Sequence, residues 1–180
     1  MGGRERILEA ASKHFGDKPY AEVSIGPILT DAGVQAPTLY YHFQDKEDLY
    51  VAWAELAFAP LKERLLIRQQ SSLEAGLASF ASIYFISARF DVPQVVQDLD
   101  QLAREDSRQK AYDAYFQSVY EPLCAILAEG MDAGELAPQP IGPLADLYLA
   151  GVHSLKATAE KDPAAIASWY AERFLHGHHA

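Results

Sequence analysis

Thr38, Tyr40, Tyr41 and His42 place three hydroxyls and an imidazole within five consecutive residues, and Lys46 adds a cation four residues further on. Groups of this kind donate to phosphate oxygens and to base edges, and the small apolar surfaces of Ala36 and Pro37 just before them suit a thymine methyl. The surrounding residues dictate how such a cluster is presented. Ser24 is a cap residue, Pro27 falls in a first helical turn where a missing N–H costs nothing, and Ile25, Ile28 and Leu29 supply an apolar face up to Ala32. Gly33 stands where a chain leaving a helix adopts a left-handed conformation, and Val34 packs back against the helix just ended. Pro37 opens a second helix from Ala36 to about Phe43, two turns long, with Leu39 and Phe43 pointing inward together. Asp45, with Asp48 at the capping-box position, starts a third helix that carries Lys46 in its first turn. Two short helices at a glycine turn form the arrangement that sets a second helix into the DNA major groove. A plain helical hairpin inside a bundle would instead bury the tyrosines. Two adjacent tyrosines and a histidine on so short a helix would then each need a buried polar partner, which favours exposure.

The segment from residue 5 to about 55 resembles the N-terminal domain of the TetR family of transcriptional regulators. The resemblance is carried by the Gly33-Val34 turn, the helix Thr38-Leu39-Tyr40-Tyr41-His42-Phe43, and Lys46 at the start of the next helix. It implies an all-α chain with an N-terminal three-helix helix-turn-helix domain over residues 1–50 and a helical effector-binding and dimerisation domain over 51–180. It also implies that Ala36, Pro37 and Tyr40 touch bases, while Thr38, Tyr41, His42 and Lys46 touch phosphate or sugar. Gly26 departs from the family, because many members carry a basic or polar residue there, and Ala36 offers no hydrogen bond. Base discrimination is therefore expected to rest on Tyr40, apolar contacts and DNA shape.

Charge weighs against indiscriminate DNA binding. The chain holds 15 Lys and Arg against 25 Asp and Glu, a formal charge of −10, and in residues 1–50 the acids also outnumber Arg4, Arg6, Lys13, Lys18 and Lys46. Weak sliding and reliance on specific contacts follow, with Arg4, Arg6 and Lys46 expected to line the DNA face. Half the residues are hydrophobic (49%), enough for one sizeable core and a small appended domain. No apolar run reaches membrane-spanning length and the first residues do not read as a signal peptide, so a soluble, cytoplasmic protein is expected. Cys124 is the single cysteine and reads as a buried thiol. Paired Glu-x-x-His motifs, a Ser-His-Asp constellation and phosphate-binding glycine loops are all missing from the sequence, so neither catalysis nor a cofactor or metal is expected. The tail His176-Gly177-His178-His179 reads as a frayed end and not as a metal site.

Helical periodicity continues to the C-terminus. A first helix over about Arg4 to Phe15 supports the motif, and the helix from Lys46 is expected to kink or break at Pro60. Ser71 and Glu74 read as a capping box for a helix with Leu73, Leu77, Phe80 and Tyr84. Asp91 caps the next, to about Arg104. A long helix from about Arg108 to Ala133 is expected to bend at Pro122, and Asp162-Pro163 opens the last. Two apolar stripes close the chain, Leu144, Leu147, Tyr148, Gly151, Val152 and Leu155 on one helix and Ile166, Trp169, Tyr170 and Phe174 on the other. By resemblance these make a four-helix homodimer interface, which would place two recognition helices about 34–36 Å apart over a palindrome. Phe80, Tyr84, Tyr112, Phe116, Tyr120 and His153 are core residues on spacing alone. The resemblance makes them the lining of a pocket for a small, largely apolar effector. The expectation is a ligand-responsive, dimeric repressor acting on a double-stranded DNA operator. The alternative is a helical interaction module that keeps the motif without binding DNA.

Overall fold

The computed structural model describes residues 2–66 and 71–177; His178 and His179 lie outside the described residues. Among these, every regular element is helical and the order is α1 (Gly3–Asp17), α2 (Ile25–Ala32), α3 (Ala36–His42), α4 (Lys46–Leu66), α5 (Leu73–Ser87), α6 (Val92–Asp98), α7 (Glu105–Tyr115), α8 (Glu121–Asp132), α9 (Ile141–Leu155) and α10 (Pro163–His176). The chain divides into two compact units, Met1–Ala59 with Arg89–Tyr115, and Pro60–Ala88 with Phe116–Ala180.

In the first unit, α1 buries Ile7, Leu8, Ala11 and Phe15 against α2 and α3. Gly33 sits at φ 60°, and Val34 N–H donates to Leu29 O at 3.1 Å, a closure that ends α2 with its last carbonyls satisfied. Asp45 accepts from Asp48 N–H at 2.9 Å and so caps α4, while Asp48 reaches back past the cap residue and accepts from Gln44 N–H at 3.0 Å. Ser24 occupies the cap position of α2 with extended backbone, but its hydroxyl makes no capping bond. The helix α4 runs through the exposed Pro60 unbroken, contrary to a break there.

Residues 89–115 complete the core of this unit. The Phe90 ring meets Trp53 at 5.7 Å and Phe58 at 5.1 Å, both edge-on. Two buried carboxylates fix the same segment. Asp98 on α6 accepts from Tyr20 N–H (2.9 Å), Tyr50 Oη (3.2 Å) and Gln94 Nε2 (2.9 Å). Glu47 on α4 accepts from the backbone N–H groups of Ala103 (2.9 Å) and Arg104 (3.0 Å) ahead of α7. The Arg104 guanidinium closes the cluster with a forked pair of bonds to Asp45.

In the second unit α10 packs along α5, with α8 and α9 completing the bundle. The cap of α5 is Ser72, accepting from Ala75 N–H at 3.2 Å, one residue later than expected. The single helix foreseen over 108–133 is helical throughout but not uniform, because Phe116–Tyr120 widens into a π turn just ahead of Pro122. Proline lacks the N–H that would continue the α ladder, and the wider turn takes up the mismatch. Leu77, Phe80, Tyr84 and Tyr148 are fully buried, and Tyr148 Oη donates to Leu77 O at 2.8 Å.

Candidate nucleic-acid interface

Helix α3 has a buried side and an open one. Leu39 and Phe43 are buried, whereas Tyr40 is 57% and Tyr41 84% exposed, with Pro37 beside them also exposed. Ala36, Thr38 and His42 are half-buried. The last two face the head of α1, where a Cβ on Gly3 would meet Thr38 Cγ2 at 3.1 Å and His42 Nε2 at 3.3 Å. A residue without a side chain thus lets α1 start against α3. The approach brings the first-turn arginines to the same edge. Arg4 lies over the Phe43 ring at 5.5 Å, Arg6 Nη1 donates to Gly33 O at 3.4 Å, and both are exposed. His14 and Asp31, 3.0 Å apart, tie α1 to α2.

Lys46 is placed differently from the freely projecting cation expected. Its Nζ lies 4.1 Å from the centre of the Tyr20 ring, and burial lowers its pKa against the pull of Asp98. At Gly26 a side chain would meet open space, and Thr30 Oγ1 already donates to Gly26 O at 3.2 Å, so α2 brings no free polar side chain to its first turn.

The acids beneath the interface are engaged internally. Its bond to Arg104 holds the Asp45 carboxyl below the usual carboxylate range. Burial pushes Glu47 up, but the two backbone N–H bonds and Ser107 outweigh it and leave it below the usual range as well. Glu47, Asp98 and Arg104 carry no sequence signal for this role, since their partners lie 48 to 78 residues apart.

The residues expected around an effector are partly brought together. In the second unit Phe80 stacks on Tyr84 at 6.5 Å, and the His153 ring stands 5.5 Å from Tyr84. Phe116 and Tyr120 stack at 5.6 Å, and Tyr120 Oη donates to Gly142 O at 3.2 Å. Tyr112 belongs to the first unit, is 43% exposed, and has Tyr115 as its ring neighbour at 6.4 Å. A cavity of about 240 Å³ in the second unit is lined by Ser72, Leu73, Gly76, Ile126, Glu129 and Glu135 among others, and by none of the expected aromatics.

The two closing stripes need correction. Leu147 is 62% and Trp169 45% exposed, and Leu144, Leu155, Ile166 and Phe174 are half-buried. Tyr148 and Val152, expected on the outer face, are fully buried inside the chain. Gly151 faces Tyr170, whose hydroxyl lies 3.1 Å from Tyr148 O and 3.4 Å from Leu147 O while its ring stacks on Tyr148 at 4.9 Å. The stripe on α9 is wide enough to serve two faces, and its inner half packs on the chain's own α5 and α10.

Residues 7–53 match the family model described as bacterial regulatory proteins, tetR family. The chain is similar to the HTH-type transcriptional repressor ComR of Escherichia coli (strain K12), 33% identical over 94 residues that cover 50% of this chain and 45% of that protein. It therefore spans less than half the length of that relative. Among solved structures it resembles the TetR family transcriptional regulator PfmR from Thermus thermophilus, with TM-score 0.77 and 22% identity over 97% of this chain and 100% of the other. It also resembles the transcriptional regulator FadR from Bacillus subtilis in complex with stearoyl-CoA, with TM-score 0.74 and 19% identity over 97% and 99% of the two chains. At these identities the two structures speak to the fold.

Proposed function

We propose, from the match of residues 7–53 to the model of bacterial regulatory proteins of the tetR family, that the chain is a ligand-responsive DNA-binding repressor of that family that acts as a homodimer on a palindromic operator. The observation that carries the reading is the exposure of Tyr40 and Tyr41 on a recognition helix whose Leu39 and Phe43 are buried, with Arg4 and Arg6 at the same edge. Base contacts fall to Ala36, Pro37 and Tyr40, and phosphate contacts to Thr38, Tyr41, His42 and Lys46. In this reading residues 1–50 carry the DNA contacts and 51–180 the effector and dimer contacts, with residues 51–59 and 89–115 packed into the same compact unit as the DNA-contacting helices. The dimer face is the outer half of the closing stripes, centred on Leu147 and Trp169, because those are the large apolar side chains α9 and α10 leave uncovered.

The effector is a small, largely apolar molecule held near Phe80, Tyr84, Phe116, Tyr120 and His153. The stearoyl-CoA of the Bacillus subtilis structure makes acyl thioesters the first class to screen. Binding shifts the DNA-binding equilibrium only as far as the effector prefers one arrangement of the helices over the other. The role is regulatory and not catalytic. Among the described residues no helix is long and apolar enough to cross a membrane, which suits action in the cytoplasm.

Selection of random duplex DNA by the purified chain tests the proposal. A retained palindrome with half-sites about one helical turn apart supports the dimeric reader. No enrichment from a folded, dimeric sample would overturn it in favour of an interaction module that does not bind DNA.

A further inference from the structure

We propose that Gln35 reads an adenine in each half-site and is the main hydrogen-bonding determinant of base specificity, an inference that rests on the DNA-binding reading above. Between Ile25 and His42, the whole helix-turn-helix, Gln35 is the one carboxamide. It stands immediately before α3, at the end of a recognition helix that enters the groove first. Its backbone is extended (φ −91°, ψ 156°) and it occupies the cap position, but its side chain makes no capping bond and is exposed. The usual work of a residue at this place is left undone, and the amide is free to face outward.

The other candidates are less able to choose a base. Ala36 and Pro37 have no donor, and Gly26 has no side chain. Asp31 is bound to His14 at 3.0 Å, Thr30 donates to Gly26 O, and Thr38 turns its methyl towards Gly3. Tyr40 and Tyr41 each end in a single hydroxyl, which donates or accepts and so separates bases less sharply than a paired donor and acceptor. A carboxamide presents a donor and an acceptor side by side, matched to N7 and N6–H₂ of adenine in the major groove. Its neighbours favour the same base pair, because Ala36 and Pro37 offer apolar surface to a thymine methyl.

The test is random-duplex selection with the full chain and with Gln35→Ala and Gln35→Glu, followed by affinity measurements on the selected operator with single base changes. Because the side chain makes no cap, Gln35→Ala should unfold at the wild-type temperature. We expect wild type to select adenine at one symmetric position per half-site and to lose about tenfold or more in affinity when it is replaced. Gln35→Ala should be indifferent there while keeping the remaining positions, and Gln35→Glu should favour cytosine, whose N4–H₂ donates to a carboxylate. Variants that select the wild-type half-site unchanged would overturn the assignment while leaving the regulator intact. A wild-type chain that selects nothing would overturn both, and only that arm would show it.

Discussion

Gly151→Ala should destabilise the chain although it replaces glycine by alanine inside a helix. In isolation that change favours the helix by about 0.5–1 kcal/mol. Here the added methyl would lie 2.7 Å from Tyr170 Cε2, with Cζ and Oη nearer still, a separation no real side chain keeps. The ring is rigid, and so it must swing out or α10 must move away from α9. Swinging out gives up the hydroxyl proton shared between Tyr148 O and Leu147 O, about 1 kcal/mol, and the stack on Tyr148, about 0.5–1.5 kcal/mol. Moving the helix carries an overpacking cost of about 1–3 kcal/mol. After the propensity gain the net loss is about 1–2 kcal/mol, which for a chain of this size lowers the midpoint of thermal unfolding by about 2–8 °C. Urea and thermal unfolding of wild type, Gly151→Ala, Tyr170→Ala and the double variant measure it. In the Tyr170→Ala background Gly151→Ala should become neutral or stabilising, a reversal of sign that only direct contact between the two residues produces. A midpoint raised by Gly151→Ala in the wild-type background would refute the packing argument. A loss that grows on dilution and is not relieved by Tyr170→Ala would place Gly151 between two copies of the chain instead.

At the DNA face, Tyr40→Ala should weaken operator binding and relax one base preference, while Lys46→Ala should weaken all sequences alike and reduce the salt slope by about one unit. Wild-type binding curves at several salt concentrations check the second, and an unchanged slope would mean that the ammonium stays on the Tyr20 ring in the complex. Asp45 and Glu47 titrate below the ordinary carboxylate range of about 3.9–4.3, so the folded state holds protons off them. Their contribution is fully present above that range and is lost as pH falls through their lowered values. Glu47→Gln should flatten the fall in unfolding free energy below about pH 4, and the same acid slope in variant and wild type would sink the cluster's role. Leu147→Glu should give folded monomers by sedimentation, since it sets a charge at the centre of the uncovered face of α9; a dimer that survives would move the interface elsewhere.

What could be read from the sequence is local, and what could not is set by distance along the chain. The Gly33-Val34 closure, the Asp45–Asp48 cap, and the caps Asp91 and Asp162 are each settled within a few residues. Ser71 and Ser72 are equally able to cap, and only the fold decides for Ser72. The π turn at Phe116–Tyr120 hides inside an apolar pattern that an extra residue barely disturbs. The stripe on α9 tells which sides are apolar and not what covers each, so Tyr148 and Val152 pass for outer residues until their packing within the chain is seen.

The same limit applies to charge. A count of −10 treats every carboxylate as facing solvent. Asp45 is paired with Arg104, Asp31 with His14, and Glu47 and Asp98 accept backbone N–H groups from inside the first unit. These acids lie in or contact the DNA-binding half, and their fields are met by nearby cations and dipoles instead of being presented to an incoming phosphate. Arg4 and Arg6 remain exposed at the head of α1 because Gly3 lets that helix start against Thr38 and His42. An acidic chain can in this way keep a basic edge beside its recognition helix. Weak attraction to DNA in general, joined to a short basic edge and the uncapped Gln35 side chain, leaves sequence-specific contacts as the main source of affinity.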